Sequence, residues 1–348
     1  MTILFRLITL LILLTLLSAT GCDSGSPDGH TDDDQGFPDS EIVESDYEIV
    51  YDFSTFDFEN YYEETDHLII AYFEVDSGVL GRAILPEIEE ERFNNYADYL
   101  DFTIEDLITA QEQLYIADLI WEAVAGLIPE QYLHQIAFFE LFTDGYDDFL
   151  GAIEEVESDS GFFIFSLDLV DMVDEDLNLN ADLLFDTIIH ELGHIITLST
   201  DQVAWVEEED SDPGTYFVYE YDLDTFSDSY LNLFFQRFWK DLYNEWSEFY
   251  YEYGVLYEGD EHLFDEYDAL LQDSLDGFRE KHTDIFVTDY AATSPTEDIA
   301  ETFMIFVLQD KPEGNLIREQ KVRFFYGFPE MVAVRDHARE YLESIGWL

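Results

Sequence analysis

Apolar positions along this chain fall into three patterns, and each predicts a different element. From Leu7 to Leu17 they form a run of eleven residues broken only by Thr9 and Thr15. Over 103–125 they recur at helical spacing, with Leu107, Leu114, Trp121 and Val124 on one side. Thr103 can cap that helix with Asp106 reaching back, and Gly126 and Pro129 stop it. Gln135–Phe142 and Gly161–Leu169 are short continuous stretches of Phe, Ile and Leu between turn residues, which read as strands. His67–Phe73 begins another ordered segment. Asn180–Leu198 returns to helical period through Leu183, Leu184, Ile188, Leu192, Ile195 and Ile196. Further helices are predicted from about Phe226 to Tyr253, rich in aromatics, and from Pro329 to Ile345. Helix, strands, then helix is an α+β order.

The first apolar run is too short to span a bilayer, which takes about 20 residues. With Arg6 before it and Leu17-Ser18-Ala19-Thr20-Gly21-Cys22 after it, residues 1–21 read as a signal peptide. The last four of those residues resemble a bacterial lipobox, which implies that Cys22 is lipidated and anchors the chain outside the cytoplasm. The alternative is an ordinary cleaved signal with a leftover thiol. Cys22 is the single cysteine, so no internal disulfide can form. Residues 22–65 are rich in Asp, Ser, Gly and acidic-aromatic sequence and read as a solvated tether; 46–66 read equally as an edge strand. The folded domain is then 66–348, with 199–289 a helical insertion carrying an acidic loop at Glu207–Gly214.

Charge narrows the partners. Thirteen Lys and Arg face 81 Asp and Glu, a net of -68, and no Lys or Arg lies between Arg92 and Arg237. Such a chain repels nucleic acid. Two readings of the acidity remain: a surface suited to a salty exterior, or attraction of cationic substrates. They tend to exclude each other, because at molar salt the screening length is only about 3 Å.

The chemistry concentrates at His190-Glu191-Leu192-Gly193-His194. Residues four apart on a helix lie about 40° from each other, so both imidazoles leave one face and can bind one Zn²⁺. Glu191 sits about 100° round from His190, placed to reach a water on the ion rather than the ion itself. The competing reading is a helix with two ordinary histidines. A catalytic zinc needs a third protein ligand and an open position. The metzincin extension is absent, since Thr197 and Thr200 occupy the places of its Gly and third His. The candidate is Glu297, 103 residues after His194, in a helix capped by Ser294 with Pro295 at its first position. Glu301 shares its face and can accept from the second nitrogen of His190. Ser-x-x-Glu is also a capping box, so Glu297 either binds the metal or bonds a backbone N–H. His262 and His282 are rival third ligands or plain surface residues.

These two segments together resemble the gluzincin pattern HExxH…ExxxD/E. Tyr290 to Glu301 is further similar to the catalytic end of anthrax lethal-factor-like peptidases. The resemblance covers only these segments and the element order before them. It implies a zincin-like fold: a small mixed sheet, an edge strand (here 161–169) just before the active helix, and a mainly helical C-terminal part. It implies one Zn²⁺ held by His190, His194 and Glu297, with Tyr290, seven residues before Glu297, facing it. The expected activity is hydrolysis of peptide bonds, with Glu191 as general base, Tyr290 supporting the oxyanion, and an extended peptide or protein substrate pairing with the edge strand. Crowded carboxylates are expected to raise the pKa of Glu191. The alternative from another class is a non-catalytic acidic surface lipoprotein that uses the same scaffold to bind a partner or cell-wall material.

Overall fold

Five strands form one mixed sheet in the order β2-β1-β3-β5-β4. They are β1 (Leu68–Asp76), β2 (Val79–Ile84), β3 (Ile136–Thr143), β4 (Gly151–Glu155) and β5 (Phe163–Asp168). The computed structural model describes residues 51–348 apart from 54–55, 66, 89, 97–102, 145–148, 158–159, 174–177, 207–210, 212–213, 219–222, 255–274 and 276. The signal peptide, Cys22, most of the tether, most of the acidic loop and His262 lie outside the described residues.

β1 and β2 are an antiparallel hairpin that turns at Ser77 and Gly78. Their φ values of 51° and 78° suit a turn whose twist matches that of the strands. β1 pairs antiparallel with β3, β3 parallel with β5, and β5 antiparallel with β4. β3 and β5 are buried along every residue, as their unbroken apolar runs require. The strand expected at 161–169 is therefore interior. The edge beyond it is β4, Gly-Ala-Ile-Glu-Glu, half-buried throughout and too short and acidic to stand out in sequence.

Twelve α-helices have both ends among the described residues. They are α1 (Phe58–Glu64), α2 (Glu90–Tyr96), α3 (Ile104–Glu112), α4 (Tyr115–Leu127), α5 (Glu130–Leu133), α6 (Leu169–Met172), α7 (Ala181–Thr197), α8 (Tyr230–Phe234), α9 (Tyr243–Gly254), α10 (Pro295–Leu308), α11 (Ile317–Phe324) and α12 (Pro329–Ser344). None is long and apolar enough to cross a membrane. One sheet face, with Phe73, Phe139, Leu141, Phe165 and Leu167, joins Trp121 of α4 and Ile188 and Leu192 of α7 in the main core. The other face, with Ile69, Tyr72, Phe138 and Ile164, is covered by Tyr51, Phe53, Phe56, Phe58 and Tyr61. Part of the expected tether thus packs on the sheet.

Two helix expectations change. The span 103–125 is two helices, α3 and α4, although the Thr103–Asp106 capping box forms as read. Gly126 lies inside α4, which ends one residue later at Leu127, and the ring of Tyr341 from α12 occupies the space a Cβ would need. Residues 199–289 are not simply helical. They hold a small antiparallel sheet of β6 (Val203–Trp205), β7 (Phe217–Val218) and β8 (Leu223–Thr225), ordered β6-β8-β7. The aromatic helix then begins only at Tyr230, capped by Ser229, and is interrupted by a π-helical stretch, Phe235–Trp239. Trp239, Trp246, Phe278 and Phe286 enter the main core, so this region is built into the domain.

Candidate metal centre

Two helices make the site. In α7 the Asn180 side chain accepts from Leu183 N at 3.4 Å, and the helix runs to Thr197 with nearly every residue after Phe185 buried. In α10 the Ser294 hydroxyl accepts from Glu297 N at 3.1 Å, and Pro295 fills the first turn where no N–H is needed. The helices cross at Gly193 and Ala300. A Cβ on Gly193 would stand 3.1 Å from the Ala300 Cα, so the glycine of the motif permits this close approach.

Three donor atoms converge across that crossing. His190 Nε2 and His194 Nε2 are 3.0 Å apart, and Glu297 Oε2 lies 3.1 Å from the first and 3.3 Å from the second. A tetrahedral ion with bonds of about 2.0–2.1 Å would hold its ligand atoms roughly 3.3–3.4 Å apart. The triangle is slightly tighter than that, and two nitrogens with one carboxylate oxygen is a donor set suited to zinc. Among the described residues this is the one His/Cys/Asp/Glu group that converges so. Only the Ser294 half of the capping box forms; the Glu297 carboxylate is turned to the imidazoles.

The surroundings hold these side chains in place. His190 Nδ1 is 2.7 Å from Glu301 Oε1, and the other Glu301 oxygen accepts from the Thr288 hydroxyl at 2.6 Å. With Nδ1 donating to a carboxylate, His190 Nε2 is the nitrogen that would turn a lone pair to a bound ion. Thr288 also accepts from Ala291 N at 3.1 Å, so it ties Glu301 to the 3₁₀ turn Tyr290–Ala292. Tyr290 is half-buried, with its ring centroid 5.8 Å from that of His190. Glu191 is buried beside the histidines, at 4% exposure.

Electrostatics follow from this crowding. Burial raises the Glu191 carboxyl; the charges of His190 and His194 oppose it, and those of Glu297 and Glu301 add to it more weakly. The expected carboxylate repulsion is thus present but secondary to desolvation. Burial would also raise Glu297, but the charges and hydrogen bonds of the two imidazoles outweigh it and hold the carboxyl well below its usual range. For His190, burial lowers the imidazole, yet hydrogen bonds with Glu297 and Glu301 win and raise it well above its ordinary value. The cluster favours positive charge at its centre. One turn before His190, Asp186 is pushed up to about 6 by burial, then by Glu301 and Asp182.

Sequence reading placed His190, Glu191, His194, Glu297, Glu301 and Tyr290 together, and they lie together. His282 is elsewhere, 3.3 Å from Glu245 and against the Phe278 ring. Sequence reading missed Thr288, for which only its place two residues before Tyr290 was a signal. It also missed a buried group behind α10: Lys321 pairs with Asp298, to which Trp239 Nε1 donates at 2.6 Å. Comparison with protein-family models, curated proteins and solved structures finds no match to this chain.

Proposed function

We propose that this chain is an extracytoplasmic zinc peptidase of zincin-like, gluzincin type, tethered through a lipidated Cys22 and hydrolysing peptide bonds in extended peptide or protein substrates. The observation that carries the reading is the convergence of His190 Nε2, His194 Nε2 and Glu297 Oε2 beside a buried Glu191. His190, His194 and Glu297 would hold the metal. When bound, a zinc ion there would polarise a peptide carbonyl and lower the pKa of a water toward about 7.

The chain's own residues do the rest. Glu191 takes the proton from the attacking water and returns it to the leaving amine; burial suits it to this exchange by raising its basicity. Glu301, held by Thr288, keeps the Nδ1 proton on His190 and so keeps Nε2 available. The Tyr290 hydroxyl donates to the oxyanion as the tetrahedral carbon forms. β4 is the strand for substrate pairing: of the two sheet edges, β2 and β4, it is the one that abuts α7, where Gly151 meets Thr187, three residues before His190. A second, acidic environment one turn along α7, at Asp186 and Asp182, continues the same side of the helix.

Cleavage of unfolded casein by the purified chain tests the reading. The expected result is hydrolysis that a zinc chelator stops and added zinc restores. Zinc binding without hydrolysis would leave the anchored binding protein as the better account, and hydrolysis indifferent to chelation would remove the metal from it.

A further inference from the structure

Helix α10 carries a second carboxylate directly after Glu297, and it leaves a different side of the helix. Successive helical residues are about 100° apart, so Asp298 meets α11 and the π-helical stretch while Glu297 meets α7. Asp298 is fully buried and accepts from three side chains: Lys321 of α11, Trp239 at 2.6 Å, and Thr302 one turn on at 3.3 Å. Lys321 is itself fully buried. Its ammonium sits 4.3 Å from the centroid of the Phe286 ring and 5.8 Å from those of Phe234 and Trp239. This group draws on α8, the π-helical stretch, the segment before Tyr290, and α11. Trp246 adds a bond from its indole N–H to Thr293 O at 2.9 Å, just before α10 starts.

The placement is costly and therefore informative. Only 13 basic residues oppose 81 acidic ones, and a Lys at the surface would relieve that repulsion. A buried ion pair also tends to be no more stabilising than apolar residues of the same size, because both charges must leave water. Packing alone does not call for it. What the pair supplies is direction: a charged, multiply bonded carboxylate at one position fixes the roll of α10 about its axis. A roll of about 10° would move a carboxylate some 6 Å from the axis by roughly 1 Å, beyond what a ligand set tolerates.

We infer that Lys321 and Trp239 are positioning residues, which clamp Asp298 so that Glu297 and Glu301 meet the imidazoles of α7 in register. Lys321 acts through Asp298 and touches no metal ligand. This inference rests on the metal-site reading above.

The test compares zinc affinity, by chelator competition, in the whole chain and in the Asp298→Asn, Lys321→Met double variant. That variant keeps the shapes and removes both buried charges. Thermal midpoints of the metal-free proteins and the visible spectra of their Co²⁺ forms complete the comparison. The expected result is a metal-free midpoint equal to or above that of the unaltered chain, with zinc bound about 10–100-fold more weakly and an altered Co²⁺ spectrum. A merely structural pair would move the midpoint and leave affinity and spectrum alone. A folded double variant with unaltered zinc affinity and Co²⁺ spectrum overturns the proposal. If the double variant does not fold, Trp239→Phe decides, since it keeps the ion pair and removes one donor: weaker zinc binding supports the clamp, and unaltered binding overturns it. Failure of the unaltered chain to bind zinc would instead remove the metal-site reading itself.

Discussion

The two sides of α10 use the same kind of residue in opposite ways. Behind the helix, Asp298 meets a cation that the chain provides, Lys321, and three donors satisfy it. In front, Glu297 and Glu301 meet imidazoles, groups that can bind an ion through a nitrogen lone pair once neutral. One side is closed by the protein's own charge. The other gathers donor atoms and draws positive charge to itself. Carboxylates are plentiful in this chain, so the distinction between a structural and a chemical one lies in what faces it.

Changes on the front side should therefore alter chemistry before stability, and the largest effect is expected from Glu191→Gln. It should lower turnover about 10²–10⁴-fold while zinc content, measured by elemental analysis, stays the same. Retained turnover would take Glu191 out of its role. Tyr290→Phe should cost roughly 10²–10³ in kcat, and an unchanged rate would make Tyr290 a packing residue. The pH profile sharpens the contrast further. Burial raises the Glu191 carboxyl, and a base works only when ionised. Activity should be present above that raised value and lost as pH falls through it, so the acid limb of kcat/KM should lie above the usual carboxylate value of about 4.3. A limb below that value contradicts the assignment. The smallest effect is expected at the crossing itself. Gly193→Ala brings a Cβ within 3.1 Å of the Ala300 backbone. Overpacking costs about 1–3 kcal/mol and the better helix propensity of Ala returns about 1. A net loss of up to about 2 kcal/mol in chemical denaturation is expected, and a gain would mean the helices part without strain.

The front side was legible in sequence because its signals are local. Asn180 and the apolar period define α7, and Ser294-Pro295 defines the start of α10. The four-residue spacings put His190 with His194 and Glu297 with Glu301 on shared faces, and only their meeting needed the fold. The back side was not legible. Lys321 lies 23 residues from Asp298 and Trp239 lies 59 before it, with no period linking them. The edge strand was missed for a different reason: β4 is five half-buried residues, so it lacks the apolar run that marked β3 and β5. The breaks at Gln113 and along Phe235–Trp239 were hidden because apolar spacing continues across both. Gly126, read as a stop, is a contact with Tyr341 far along the chain.

In the proposed site the Glu297 carboxylate completes a zinc-binding set with His190 and His194. Zinc content of the purified chain, with and without Glu297→Ala, tests this. About one zinc per unaltered chain is expected, with most of it lost in the variant and both proteins folded. Equal zinc in the two would contradict it.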